Sequence, residues 1–294
     1  MTASAIKRVG IVAKASLRGA ADQLSGIAAW LKARGIEPMF DDRSAALLNA
    51  AVETSPSRDR LPELVDLILV LGGDGTLLAM ADRMAVSRCD IPILGVNFGG
   101  LGFLTEVTLP ELYKALESTL AGTAPTEERL MIRAAIMRGG EINSDRQALN
   151  DVVITRGARS RIIDLSVSIG GEFVARFKAD GLIVATPTGS TAYNLASGGP
   201  ILHPAVDAFV LTPIAPHTLT NRPLVISAAS ELRIQPLMEA DEETILTYDG
   251  QTAVALQQHD TVVITRAPFR LRLVHAATRS YYEVLRQKLK WAER

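Results

Sequence analysis

A single carboxylate, Asp74, sits among glycines in the stretch LVLGGDGTLL, residues 69–78. The apolar residues before it read as a buried strand, and those after it as a helix. An acid at the end of a buried strand is costly unless something uses it. Glycines at 72, 73 and 75 let the chain turn tightly and let a ligand approach the main chain. The helix start aims N–H groups and a positive dipole end at the same point, which suits phosphate. A carboxylate beside a phosphate repels it unless a metal or a hydroxyl stands between them. A hydroxyl about to be phosphorylated is such a group, and Asp74 as its general base fits phosphoryl transfer. The other reading is that Asp74 caps a helix beginning near Thr76 and the glycines form an ordinary turn. Neither G-x-x-x-x-G-K-[ST] nor G-x-G-x-x-G is present.

Three further stretches carry chemistry. GVNFGGLGFL, residues 95–104, is glycine-rich and follows another buried run. In an open α/β sheet it would line the same crevice as residues 72–75, beyond the carboxyl ends of the strands. ALNDVVITRG places Asn150 and Asp151 at a strand start. An amide beside a carboxylate can hold both hydroxyls of a ribose, and Asn-Asp also favours a plain turn. FKADGLIVATPTGSTAYNLASGGPI, residues 177–201, runs from a strand into a long segment of small hydroxyl residues with one aromatic, Tyr193. Thr188, Ser190 and Thr191 can donate to phosphate or amide oxygens, and Tyr193 can stack on a base and still hydrogen-bond.

The elements that must position these groups follow from periodicity. Residues 8–13 and 91–96 are short apolar strands, and residues 66–71 a fully apolar one. Helical spacing occupies residues 20–35, with Gly35 as its stop, and residues 76–86. Another helix runs between Thr108 as N-cap and Gly122. Strand alternating with helix predicts an open, largely parallel α/β sheet. The pattern changes near 123–128. Beyond it the chain alternates with period two, and hairpin signals stand at Gly170-Gly171 and Asp249-Gly250. The expected organisation is an α/β domain at 1–125, joined by a closing amphipathic helix within 275–294, and a mainly antiparallel all-β domain at 126–274.

The chain of 294 residues suits two domains at roughly 150 residues each. With 31 basic and 32 acidic residues the net charge is −1, so no global field favours nucleic acid or an anionic membrane. No apolar stretch approaches the roughly 20 residues of a membrane span, and no secretory leader is legible. Cys89 is the sole cysteine, which fits a reducing compartment, so the expected location is the cytoplasm. It reads as a buried small residue. His203, His217, His259 and His275 lack metal-ligand spacing.

Taken together, GGDGTLL, GVNFGGLGFL, LNDVVITRG, DGLIVATPTGSTAYNLASGGPI and TNRPLV resemble the NAD kinases, which phosphorylate the 2′-hydroxyl of the adenosine ribose of NAD with ATP to give NADP. The resemblance spans nearly the whole chain, and the DGLIVATPTGSTAY stretch is its most specific part. It implies that Asp74 is the general base, with Gly75 beside it. It implies that Asn150 and Asp151 hold an NAD ribose, a pair in which the family more often carries Glu second. It further implies NAD-binding roles for Arg161, Lys178 and Asp180, for Thr191, Ala192, Tyr193, Asn194, Leu195 and Ala196, and for Gln251. Phe103 would wall the nicotinamide side. From the residues alone, Arg161 and Lys178 read as exposed strand charges, and with Arg156 and Arg159 the first makes a small basic cluster.

The resemblance also implies a divalent cation, Mg²⁺ or Mn²⁺, carried mostly by ATP oxygens, with its protein ligands unknown. A homodimer or homotetramer is implied, in which a neighbouring copy adds its 178–180 region to the NAD site. NAD would lie in a crevice between the two domains. Two competing readings are a lipid kinase sharing the GGDGT turn and a non-catalytic NAD(P) sensor that kept the pocket. The polar TPTGSTAYN segment argues against the first and the retained Asp74 against the second.

Overall fold

A computed structural model describes residues 6–17, 19–48, 54–157, 162–218, 220–237, 243–276 and 278–291. The chain forms two compact units, Met1–Glu128 with Leu271–Arg294, and Arg129–Arg270.

The first unit runs β1 (Arg8–Ala13), α1 (Ala20–Lys32), β2 (Glu37–Phe40), α2 (Asp42–Leu47), β3 (Leu67–Leu71), α3 (Asp74–Ser87), β4 (Pro92–Asn97), β5 (Val107–Thr108), α4 (Leu112–Leu120) and β6 (Thr126–Arg129). The second unit contains β7 (Ile132–Arg138), β8 (Glu141–Ala148), β9 (Asp151–Arg156), β10 (Ile163–Ile169), β11 (Glu172–Ala179), β12 (Gly181–Ala185), α5 (Tyr193–Ala196), β13 (Ala208–Ile214), β14 (Leu224–Ser227), β15 (Leu232–Pro236), β16 (Thr244–Tyr248), β17 (Thr252–Leu256) and β18 (Thr261–Arg266). The chain then returns to the first unit through β19 (Leu271–Val274) and α6 (Tyr281–Leu289).

The first sheet has the order β2-β1-β3-β4-β19-β6, with β5 pairing β4. β1 pairs β2 and β3 in parallel, and β4 pairs β3, β5 and β19 in parallel. β3 is buried at every residue, because helices cover both faces of such a sheet. Each fully buried Leu, Ile or Val contributes roughly 1.5–3 kcal/mol. Chain order reverses at β1, whose neighbours are β2 on one side and β3 on the other. That reversal opens a crevice at the carboxyl ends of β1 and β3. The boundary read from sequence at 126 and 274 is shifted by a few residues: β6 and β19 both lie in the first sheet. β19 has the alternating pattern of its antiparallel neighbours in sequence, and only its pairing with β4 separates it from them.

The second unit is a sandwich of two six-stranded sheets, β11-β10-β15-β18-β7-β8 and β14-β13-β12-β9-β16-β17, whose strand pairs are antiparallel. Alternate residues of both enter one core, among them Ile132, Leu165 and Ile264 from the first sheet and Val152, Ile154, Leu182 and Leu246 from the second. Val153, Ile183 and Ala185 point the other way and are also buried. The central strands β9 and β12 are therefore largely buried on both faces, which explains their unbroken apolar runs. The hairpins at Gly170-Gly171 and Asp249-Gly250 turn through positive φ at both central residues, as two-residue hairpin loops of matching twist require.

Candidate active site

In the first unit a cavity of about 400 Å³ opens at the carboxyl ends of β1, β3 and β4. Lys14 and Ser16 follow β1, Gly72–Asp74 follow β3, and residues 97–102 follow β4. Lys288 of α6 completes the lining. This is the crevice expected from the two glycine-rich stretches.

α3 begins at Asp74 itself, two residues earlier than expected, and its N-cap is Gly73, in extended backbone. The Asp74 side chain does not cap its own helix. It reaches across to the second glycine-rich loop, where Oδ1 accepts from the main-chain N–H of Leu104 (3.2 Å) and Thr105 (3.0 Å) and from Thr105 Oγ1 (2.8 Å). Oδ2 accepts from Phe103 N–H (2.9 Å). Thr105 Oγ1 in turn accepts from Asn97 Nδ2 (3.0 Å), and Asn97 Oδ1 accepts from Gly99 N–H (2.7 Å). Four donors thus hold the carboxylate in one orientation, and Oδ2 keeps accepting capacity for a further donor. Gly75 lies exposed in the first turn of α3.

In the second unit a cavity of about 330 Å³ lies on the outer face of its second sheet. Asn150, Asp151, Ala192 and Tyr193 line it together with Val153, Thr155, Thr247, Asp249 and Gly250. Four of the residues singled out in the sequence are thus brought to one pocket, from segments some 40 positions apart. Asp249, at the tip of the β16–β17 hairpin, organises it. Its carboxylate accepts from the N–H groups of Leu149 (2.9 Å), Asn150 (2.7 Å) and Asp151 (3.1 Å), while its own N–H donates to Asp151 O (2.9 Å). Burial, seconded by the Asp249 carboxylate, pushes the Asp151 acid up from its ordinary value to about 7.

The 186–202 segment is a built platform. Thr186 Oγ1 donates to Leu149 O (2.6 Å) and accepts from Gly189 N–H (3.0 Å). A Cβ at Gly189 would overlap the Asn150 carbonyl, so this close approach needs glycine. Ser190 Oγ donates to Pro187 O (2.6 Å) and accepts from Leu202 N–H (2.9 Å). Asn194 is fully buried. Its Nδ2 donates to Ser190 O (2.9 Å) and Pro200 O (3.0 Å), and its Oδ1 accepts from Thr212 Oγ1 (2.6 Å). The Asn194 amide is therefore engaged within the fold and does not face the pocket. Tyr193 stands 45% exposed in the lining of the pocket.

The remaining expected residues are placed apart from this lining. Thr191 Oγ1 donates to Thr188 O (3.3 Å), Leu195 is half-buried and Ala196 exposed. Gln251 is exposed just past the Asp249-Gly250 turn, its N–H donating to Tyr248 O (2.9 Å). Lys178 lies 3.9 Å from Asp164, and Asp180 pairs with Arg156 at 3.0 Å. Arg161, with Arg159, lies outside the described residues. Lys14, Lys288 and Asp249 went unread as site residues. Lys14 had a legible signal, a cation directly after the first buried strand. Asp249 was masked by the turn preference of Asp-Gly.

Comparison with known proteins matches this arrangement to two profiles: the ATP-NAD kinase N-terminal domain over residues 9–124 and the ATP-NAD kinase C-terminal domain over residues 149–276. The chain belongs to the ATP-NAD kinase family. It is 46% identical to the NAD kinases of Geotalea daltonii and Geobacter sulfurreducens, each over 289 residues that cover 98% of this chain and all of the relative. Among solved structures it is similar to an NAD kinase from Archaeoglobus fulgidus in complex with ATP, with TM-score 0.75 and 25% identity over 95% of this chain and 99% of that one. The fold is shared with yeast NADH kinase complexed with NADH, at TM-score 0.87 and 24% identity over 99% of this chain and 89% of that one. The family's two-domain fold is thus the one described above.

Proposed function

We propose that this chain is an NAD kinase, transferring the γ-phosphate of ATP to the 2′-hydroxyl of the adenosine ribose of NAD to give NADP and ADP. The observation that carries the reading is the Asp74 carboxylate, fixed by four donors at the end of β3 with Oδ2 still able to accept. Asp74 accepts the hydroxyl proton as the oxygen attacks phosphorus, and ADP leaves with the transferred charge. Lys14, Lys288 and the first turn of α3 supply positive potential for the donor phosphates. Positioning and electrostatics then provide most of the acceleration.

In this reading the cavity of the second unit binds NAD. Asn150 and Asp151 take ribose hydroxyls, and Tyr193 stacks on a ring of the dinucleotide. Thr191, Leu195, Ala196 and Gln251 flank it. The same reading includes a homo-oligomer in which a second copy brings Lys178 and Asp180 to the site. Among the described residues no three His, Cys, Asp or Glu side chains group as metal ligands. A Mg²⁺ or Mn²⁺ ion would be held mostly by ATP oxygens and would neutralise charge on the donor phosphates. Among those residues, no helix is long and apolar enough to cross a membrane, and the lone cysteine suits the cytoplasm.

The test is NADP formation by purified protein with NAD, ATP and Mg²⁺, run beside Asp74→Asn. Turnover falls by about 10²–10⁴-fold in the variant, while NAD binding survives. Undiminished turnover in the folded variant removes Asp74 from the mechanism. A folded wild type that binds NAD and forms no NADP points to a sensor or to another phosphate donor.

A further inference from the structure

The Asp74 clamp is itself held from behind. Residues 103–105 supply its donors, and Glu106 follows them directly. Glu106 is a buried acid, and burying a carboxylate is tolerated only when it is paired. Its partner is His275, just beyond β19, whose Nδ1 lies 3.0 Å from Glu106 Oε2. The other ring nitrogen, Nε2, lies 3.0 Å from Glu127 Oε2 on β6. Both ring nitrogens of His275 are thus within hydrogen-bond distance of a carboxylate oxygen, one from each acid.

The Glu106 main chain is pinned by the same segment. Arg279 Nη1 donates to Glu106 O (3.1 Å) and to Glu111 Oε2 (2.8 Å). Burial works to raise the Glu111 acid, but hydrogen bonds from Arg279 and Thr108 outweigh it and hold the acid down at about 2, so this pair is ionic. His275 N–H donates to Pro125 O (2.9 Å), which fixes the imidazole to the frame. The charged groups around the ring are thus Glu106 and Glu127 in direct contact, with Glu111 and Lys114 on a small cavity of about 80 Å³ that His275 also lines. None of them belongs to the substrate pockets described above.

We propose that His275 is a positioning residue for the phosphoryl transfer: by holding Glu106 it fixes the turn whose N–H groups orient the Asp74 carboxylate. The assignment rests on Asp74 being the general base. A shift of that turn moves three main-chain donors and the Thr105 hydroxyl together, so Asp74 loses its orientation while the residues lining the cavity of the second unit are untouched.

Two conservative variants separate this role from simple stabilisation. The amide nitrogen of an Asn at 275 falls near the place of Nδ1 and keeps Glu106. The amide of a Gln falls near Nε2 and keeps Glu127. His275→Gln lowers kcat about tenfold or more, since a misplacement of about 1 Å costs up to about 10²-fold, while KM for NAD and ATP stays the same. His275→Asn stays within about twofold of wild type on the same argument. Hydrogen exchange of the Phe103, Leu104 and Thr105 amides, measured on the full chain, quickens in His275→Gln and not in His275→Asn. Should His275→Gln fail to fold, Glu106→Ala reads the same contact with the same two measurements. Equal kcat in the Asn and Gln variants, or unchanged exchange at the three amides in the variant that releases Glu106, overturns the proposal. If the wild type makes no NADP while the exchange pattern holds, the general-base reading fails and the His275–Glu106 brace stands.

Discussion

Gly102 packs against Asp74 so tightly that a Cβ at position 102 would overlap Asp74 Oδ1 and Thr105 Oγ1. The glycine is thus part of how the carboxylate is aimed. In Gly102→Ala the loop must retreat or Asp74 must rotate, and either moves the proposed base from its place. A drop in kcat of about 10²-fold is expected from a displacement near 1 Å. Thermal unfolding and steady-state kinetics on the same preparation check it: a folded variant with wild-type kcat would show that Asp74 tolerates a looser clamp.

Lys14 and Lys288 reach the Asp74 cavity from opposite ends of the chain. Lys288 Nζ also lies 5.6 Å from the centre of the Phe103 ring, a cation–π distance that holds it beside the clamp loop. In the role proposed above, as phosphate-binding cations, they act on the donor. Lys14→Ala and Lys288→Ala should each raise KM for ATP about tenfold, or roughly 1.4 kcal/mol, and leave KM for NAD near wild type. The effect should shrink at high salt, because both groups are solvent-accessible and screened. An equal rise in both KM values would place these lysines elsewhere in the mechanism.

Much of this arrangement was legible because local chemistry and global packing agree. β3 and β4 read as buried parallel strands since helices cover both their faces, and the glycines at 72–75 mark the turn that a ligand crevice needs. The antiparallel second unit announced itself through Gly170-Gly171 and Asp249-Gly250. What stayed hidden depends on contacts between distant segments. Nothing local tells that Asp74 is gripped by residues 103–105 rather than capping α3. Nothing local tells that Asp249 reaches back about a hundred positions to the 149–151 main chain, since Asp-Gly is already explained as a turn. β19 looks like any strand of the second unit until its pairing with β4 is known. Asn194, grouped by the resemblance with ligand residues, has its amide turned inward.

That inward amide makes a prediction of its own. Asn194 joins Ser190, Pro200 and Thr212 through three hydrogen bonds with no exposure to solvent. Asn194→Ala leaves two carbonyls and one hydroxyl without this partner, at about 1–3 kcal/mol for each buried group left unsatisfied. The melting temperature should fall sharply, and KM for NAD should rise only as far as the platform carrying Ala192 and Tyr193 loosens. Asn194→Asp keeps the acceptor for Thr212 but sets a carboxylate oxygen against two carbonyls, so it should be no better. A stable Asn194→Ala protein with a large loss of NAD affinity would return the amide to the ligand.

Asp151 gives a pH dependence with a definite sign. Its acid is raised from 3.8 to about 7, by burial first and by the Asp249 carboxylate second. In the unfolded chain it titrates near the ordinary value, so between about pH 4 and pH 7 the folded state binds more protons than the unfolded one. Stability contributed at this position is therefore intact below about pH 4, declines as pH rises toward 7 and levels off above it. The whole change is on the order of 4 kcal/mol. Asp151→Asn is neutral throughout and should lack the decline, so urea midpoints taken between pH 5 and pH 8 should diverge in its favour as pH rises. Asp249→Asn removes the repelling charge while Asn accepts the positive φ of that turn, so it should lower the Asp151 acid and flatten the slope in part. Parallel pH profiles for wild type and Asp151→Asn would show that the decline, if any, arises from another group.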